Sequence, residues 1–221
     1  MFIGHYALAF ASKKVAPSVS LGTTFLACQF ADLLWPTLLM LGIEVVEIDP
    51  GNTLMTPFNF VRYPYSHSLV MLVIWAGLFA LAYRLISGSS RAATVTVAAL
   101  VLSHYALDVI THRPDLPITI SGAQRLGLGL WNHPGLTLAL ESAMFILGAT
   151  IYMSVTRARD RIGRLGLWSL IIVLVAIYFA ALYGPPPPSS TALAVSGQLL
   201  WVFVVWAYWV DRHREAATIK G

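Results

Sequence analysis

The chain has 221 residues, of which 57% are hydrophobic and 11% charged, against about a quarter charged in ordinary soluble domains. That composition excludes a soluble globular protein and makes this an integral membrane protein. A single cysteine excludes both a disulfide framework and cysteine-ligated structural zinc, and the net charge of +4 has to be read from where the basic residues lie.

In chain order, the first element is "MFIGHYALAFASKK". Its basic pair, Lys13 and Lys14, follows the apolar stretch, the reverse of a signal peptide. It is too short to span, so it reads as a half-length or re-entrant helix packed on the bundle. Six apolar segments follow, near residues 18–43, 66–84, 92–110, 134–155, 165–183 and 192–210. Each approaches the roughly 20 residues that a helix needs to cross the hydrocarbon core, and barrel strands would be shorter and would alternate. The expected fold is an all-α, polytopic transmembrane helical bundle of about six spanning helices plus the N-terminal half-helix. It forms one domain over 1–221, with metal-site helices in 1–155 and two additional helices in 156–221.

Eleven basic residues (Lys13, Lys14, Arg84, Arg91, Arg157, Arg159, Arg161, Arg164, Arg212, Arg214 and Lys220) fall on one side of that map, and three (Arg62, Arg113 and Arg125) on the other. By the positive-inside rule both termini are cytoplasmic, and the loops 44–65 and 111–132 and the "PPPPSS" turn are external. The rule accounts for the net charge, and the basic loops lack interleaved aromatics, so nucleic acid is not an expected partner. Trp131, Tyr183 and Trp209, near helix ends, are expected to anchor at the membrane interface. Cys28 is expected to be a small core residue.

Within this apolar chain, "SHYALDVITHRPDLPI" concentrates polar groups that are costly in a membrane. His104 and Asp108 are four residues apart and share one helix face, which is how a helix offers two ligands to one metal. Asp32 in "CQFADLLWP" and His67 in "YPYSHSL" fall at matching depth when ~1.5 Å is counted per residue. Two histidines and two aspartates suit zinc or manganese. Unmetallated His and Asp residues also serve as proton relays or as polar glue between helices, and residue spacing leaves both readings open.

These residues resemble a known family, the bacterial inner-membrane predicted metal-dependent hydrolases of the YdjM type, grouped with the phospholipase C and P1 nuclease superfamily. The resemblance lies in the order of elements over roughly the first 140 residues: His5 near the N-terminus, Asp32 in "ADLLWP", the pair His67 and Ser68, then His104 and Asp108 in "SHYALDVITHRPDLP". It implies that His5, Asp32, His67, His104 and Asp108 bind metal in a bacterial inner-membrane protein with phosphoester-cleaving chemistry. By depth count, however, His5 lies only about nine residues above Lys14, roughly 13 Å along a helix. Either the N-terminal helix tilts upward or His5 lies off the site.

Glu141, about two turns into the fourth segment, needs a partner inside the bundle. Base, support for a ligand histidine and additional ligand are all open roles. His112, Arg113 and Asp115 follow the third segment in a stretch broken by Pro114 and Pro117, which places them in a loop at the mouth of the site. His112 and Arg113 are therefore candidates for binding substrate. Asn132 and His133, ahead of Pro134, are expected to cap a helix. Ser68 is expected to be structural, because adjacent helix residues do not face each other. A divalent ion here, expected to be zinc with manganese as the alternative, in one or two copies, would support hydrolysis of a lipid or phosphoester. The rival class is a non-enzymatic ion or proton transporter or stress-related factor built on the same cluster.

Overall fold

The computed structural model describes residues 1–217. Lys220, assigned to the basic side by sequence, lies outside the described residues. The chain folds as an all-α helical bundle, and among the described residues five helical segments are long and apolar enough to cross a membrane. They are α5 (Leu69–Ser87), α6 (Arg91–Thr111), α7 (Pro134–Val155), α8 (Arg161–Tyr183) and the pair α9 (Ser190–Gly197) and α10 (Leu200–Arg212), which a turn at residues 198–199 interrupts.

The expected span near 18–43 differs. It is two shorter helices, α2 (Leu21–Cys28) and α3 (Phe30–Met40), broken at Gln29. A break in apolar surroundings is tolerated only where protein covers the freed backbone groups. Here the last residue of α2 hands its carbonyl to a side chain, since Cys28 O accepts from His104 Nδ1 at 2.8 Å. Cys28 itself is buried.

The N-terminal half-helix is α1 (Ile3–Ala11), nearly all of it buried, packed mainly on α7. Close approach depends on Gly148, where a Cβ would stand 2.2 Å from Ala7 O. The connection beyond α1 is held by Lys13, whose Nζ donates to Val19 O at 2.9 Å and to Asp211 Oδ1 at 3.1 Å. Tyr152 donates to the same Asp211 oxygen at 3.1 Å. Lys13, the end of α7 and the end of α10 therefore meet at one end of the bundle. There β5 (Thr156–Ala158) pairs antiparallel with β6 (Arg214–Ala216).

At the other end, two connections read as loops carry small antiparallel hairpins. One joins β1 (Val45–Ile48) to β2 (Phe58–Arg62), and one joins β3 (Leu116–Pro117) to β4 (Arg125–Leu126). A single turn, α4 (Pro64–His67), leads from β2 into α5.

Helix starts are capped where the sequence supplies hydroxyls or carboxylates, because orphan amides are expensive in or near lipid. Ser20, Ser68, Ser90, Asp160 and Ser189 each accept from the amide three residues on. Ser68 is thus structural, as expected. His133 precedes α7 without any side-chain cap, and its carbonyl instead accepts from Thr137 Oγ1 at 3.2 Å. The end of α5 closes on Gly88 at φ +57, a left-handed position that glycine adopts without steric cost.

Gly148→Val should lower the thermal midpoint. Overpacking typically costs about 1–3 kcal/mol, and each kcal/mol is roughly 2–4 °C in a chain of this size. Gly77→Ala, where an added Cβ meets nothing within 4 Å, should leave the midpoint unchanged or slightly raised. Size-exclusion melting curves in detergent compare the two.

Candidate metal centre

Asp108 lies in the last turns of α6, buried, with both oxygens engaged by histidines. Oδ1 is 3.1 Å from His5 Nε2 on α1 and 2.5 Å from the Met1 α-ammonium. Oδ2 is 3.2 Å from His104 Nε2 one turn earlier on α6, 3.8 Å from His112 Nε2 one turn later, and 3.9 Å from His67 Nε2 on α4. Asp32 of α3 completes the group, its Oδ1 lying 3.3 Å from His67 Nε2 and 3.7 Å from His104 Nε2. Two ligand triads share His104: His5 with Asp108, and Asp32 with His67. Either could hold a metal ion.

The structure thus brings His5, Asp32, His67, His104 and Asp108 together. The depth discrepancy of His5 resolves through packing. Its ring stacks on His104 with centroids 3.9 Å apart and planes 2° from parallel.

The far nitrogen of three rings explains why the near ones point inward. His104 Nδ1 faces a carbonyl oxygen, which only accepts, so Nδ1 carries the proton. Ser66 Oγ donates its single hydrogen to Glu44 Oε2 at 2.6 Å and therefore accepts from His67 Nδ1 at 2.6 Å. His112 Nδ1 donates to Asp115 Oδ1 at 2.9 Å. In each neutral ring this leaves a bare Nε2 lone pair facing carboxylate oxygens. His104 Nε2 is buried without a hydrogen-bond partner, as is His5 Nδ1. Lone pairs opposed to carboxylates repel, and a shared cation turns that repulsion into coordination. The donor set of imidazole nitrogen and carboxylate oxygen could hold a divalent metal ion. Histidine ligands anchored through the other ring nitrogen to a carboxylate or carbonyl are the usual support of such sites.

Two groups of supporting residues escaped the sequence reading, Glu44 with Ser66 being one. Glu44 sits just past α3 and is buried, its Oε1 accepting from the amides of Tyr65 and Ser66 at 2.8 and 2.9 Å. It holds the start of α4 and, through Ser66, the ring of His67. Ser66, not Ser68, is the serine that touches His67. The only sequence signal was the cost of a carboxylate at the edge of an apolar segment. Tyr63 is the other, donating to Asp115 Oδ1 at 3.1 Å.

Arg113, a candidate for binding substrate, donates to Asp115 Oδ2 at 3.1 Å and to Asn59 Oδ1 at 2.6 Å and so braces the carboxylate behind His112. His112 lines the adjoining cavity. Trp131, expected as an interfacial anchor, is buried with its ring 4.2 Å from His112. Tyr183 and Trp209 are exposed, as anchors would be.

Glu141 of α7 accepts from the amides of Phe2 and Gly4 at 2.8 and 3.1 Å, both through Oε2. It therefore tethers the start of α1, and with it His5, and it also borders the cavity. That cavity, about 500 Å³, has Asp32, His67, Asp108 and His112 at its polar end.

In comparisons with known proteins, no family model, no curated protein and no solved structure matches the chain.

Removing the hydrogen-bond partner behind a ligand histidine typically costs 10–100-fold in metal affinity. Ser66→Ala, which removes the acceptor of His67 Nδ1, should weaken divalent-metal binding by roughly that factor, measured by competition with a chromophoric chelator. A site formed without His67 would bind the metal equally in the variant and the wild type.

Proposed function

We propose that the chain is a membrane-embedded, metal-dependent hydrolase acting on a lipid or phosphoester. The observation that carries this reading is the convergence of bare Nε2 nitrogens from His67, His104 and His112 on Asp32 and Asp108, at one end of a cavity large enough for a small substrate. Asp32, His67 and His104 would hold the ion, with Asp108 and His5 as the ligands of a second ion or as partners of the first. A divalent ion there supplies a Lewis acid and acidifies bound water. Glu141 borders the same cavity and is the candidate base, its Oε2 also serving the amides of α1. His112, braced by Asp115, would orient the substrate. The reading also includes the resemblance of the motif order to YdjM-type membrane hydrolases and a bacterial inner-membrane location with the basic, C-terminal end of the bundle cytoplasmic; the expected cytoplasmic N-terminus does not go with it, because Met1 meets Asp108 at the metal end.

A transporter needs a polar route to the opposite face. Along α1, from His5 toward Lys13, the packing is aromatic: Phe10 meets Phe25, Phe145 and Tyr152 with ring centroids 5.1, 5.9 and 5.4 Å apart. That packing supports the enzyme over the transporter.

His104→Ala combined with Asp108→Ala should abolish stoichiometric zinc or manganese while helical content survives, read by elemental analysis and circular dichroism. Glu141→Gln keeps an oxygen for the amides of Phe2 and Gly4 but removes basicity. Turnover should then fall by about 10² to 10⁴ with metal still bound. Hydrolysis should also decline in acid as the ligand histidines protonate, and should stop on chelation. Wild type no faster than His104→Ala on phospholipids, lipid-linked phosphates and phosphodiesters, with metal or proton flux in liposomes that requires Asp32 and Asp108, would replace the hydrolase with a transporter. Reporter fusions at residues 88, 120, 160 and 187 test the topology, and an external signal at 160 overturns it.

A further inference from the structure

The cavity is most polar at the metal centre. Away from it the wall is mostly apolar, formed by Ile177, Ala181 and Leu182 of α8 and by Leu193, Leu200 and Phe203 of α9 and α10. Near the β5–β6 end, α8 and α10 pack so closely that a Cβ on Gly166 would meet Trp209 at 3.1 Å and Val210 at 3.3 Å. Toward the other end the same helices border open space. Ile177 is 39% and Leu199, also in the wall, 64% exposed, so the wall of the cavity runs into the outer apolar surface of these helices. Thr56 and Phe58 of the β1–β2 hairpin close it on the side of the loops.

We infer that this arm of the cavity is a tail site: it takes one alkyl chain of an amphiphile that enters from the bilayer between α8 and α9–α10 and presents a phosphoester head to the metal centre. The inference rests on the hydrolase reading for the head and on the cavity alone for the chain. Several features fit one occupant. The ionisable groups Asp32, His67, Asp108 and His112 stand together, while the α8 and α9–α10 wall is mostly apolar, with Ser196, whose hydroxyl donates to Leu193 O, and Tyr178 as its polar members. A water-soluble substrate would need no apolar arm open to lipid. A volume of about 500 Å³ lies in the lower half of the usual range for small-ligand sites, roughly 300–1,000 Å³. It admits one chain beside a head, and a second chain would stay in the bilayer. Lipid tails are as apolar as the wall, so selection comes from shape and from anchoring of the head, not from hydrophobic gain.

The test uses a lysophospholipid carrying a diazirine in mid-chain, photolysed with the purified full-length protein in detergent and mapped by mass spectrometry. Adducts should fall on the α8 and α9–α10 residues that line the cavity. Ala181→Trp and Leu200→Trp, which fill the arm, should reduce them about tenfold, equivalent to ~1.4 kcal/mol of binding. Ile172→Trp, on the outward face of α8 where Ile172 is 61% exposed, should not. Unchanged labelling in both filled variants, or labelling confined to outward residues such as Ile172 and Val205, overturns the tail site. Zinc content and turnover of a water-soluble phosphodiester, measured on the same variants, show that they fold. Both should persist while turnover of the long-chain substrate falls. A wild type that turns over neither substrate yet is labelled in the cavity refutes the hydrolase and leaves the tail site standing. Loss of soluble-substrate turnover together with the labelling shows that filling damages the metal centre, and it overturns the separate tail site.

Discussion

A carboxylate held away from water among apolar helices is the constraint on which the rest of this structure depends. An aspartate at the centre of a membrane helix costs about 2.5–3.5 kcal/mol on insertion scales, and the charge persists only if partners surround it. Around Asp108 stand the Met1 α-ammonium and four imidazoles, His5 from α1, His67 from α4, His104 from α6 and His112, the residue that follows α6. A cation shared between ring nitrogens and carboxylates would compensate the charge that neutral rings leave unpaired.

The irregular parts of the fold follow from serving that group. A straight helix over 18–43 would keep Cys28 O in its own ladder, and the break at Gln29 frees it for His104. A re-entrant α1 is tolerable in lipid because Glu141 satisfies two of its orphan amides and Gly148 lets its backbone lie against α7. The single turn α4 survives because Glu44 caps it from the end of α3. Each device joins an element that carries a ligand to one that does not. The site and the bundle are therefore mutually dependent.

The arrangement also separates roles along the molecule. At the metal end, hairpins and proline-broken loops supply the residues that hold histidine rings, with Asp115 receiving His112, Tyr63 and Arg113 together. At the opposite end, Lys13, Asp211, Tyr152 and the β5–β6 pair tie α1, α7 and α10. Between them the interior is aromatic and aliphatic, while α5 fully buries only Leu72 and Ala76 and packs Leu69, Trp75, Phe79 and Tyr83 partly against the core.

Composition and apolar segment length determined the class of fold, because lipid leaves a long apolar chain no regular structure but the helix. The cost of polar groups in that solvent was enough to pick out Asp32, His67, His104 and Asp108, and the i, i+4 spacing put the last two on one face. Motif order added His5, against its depth in a straight-helix count. Only the tertiary structure decided the rest. Depth along a chain assumes unbroken, upright helices, so it could not place His5 of α1 against His104 or find the interruption at Gln29. Partners of the far ring nitrogens, such as Glu44, Ser66 and Asp115, come from loops and a single helical turn whose positions no hydrophobic period encodes. The brace formed by Arg113 and the burial of Trp131 depend on how the 111–132 segment folds back over His112. The cavity depends on how α8 and α9–α10 lie relative to one another, which is settled by packing at Gly166 far from the site.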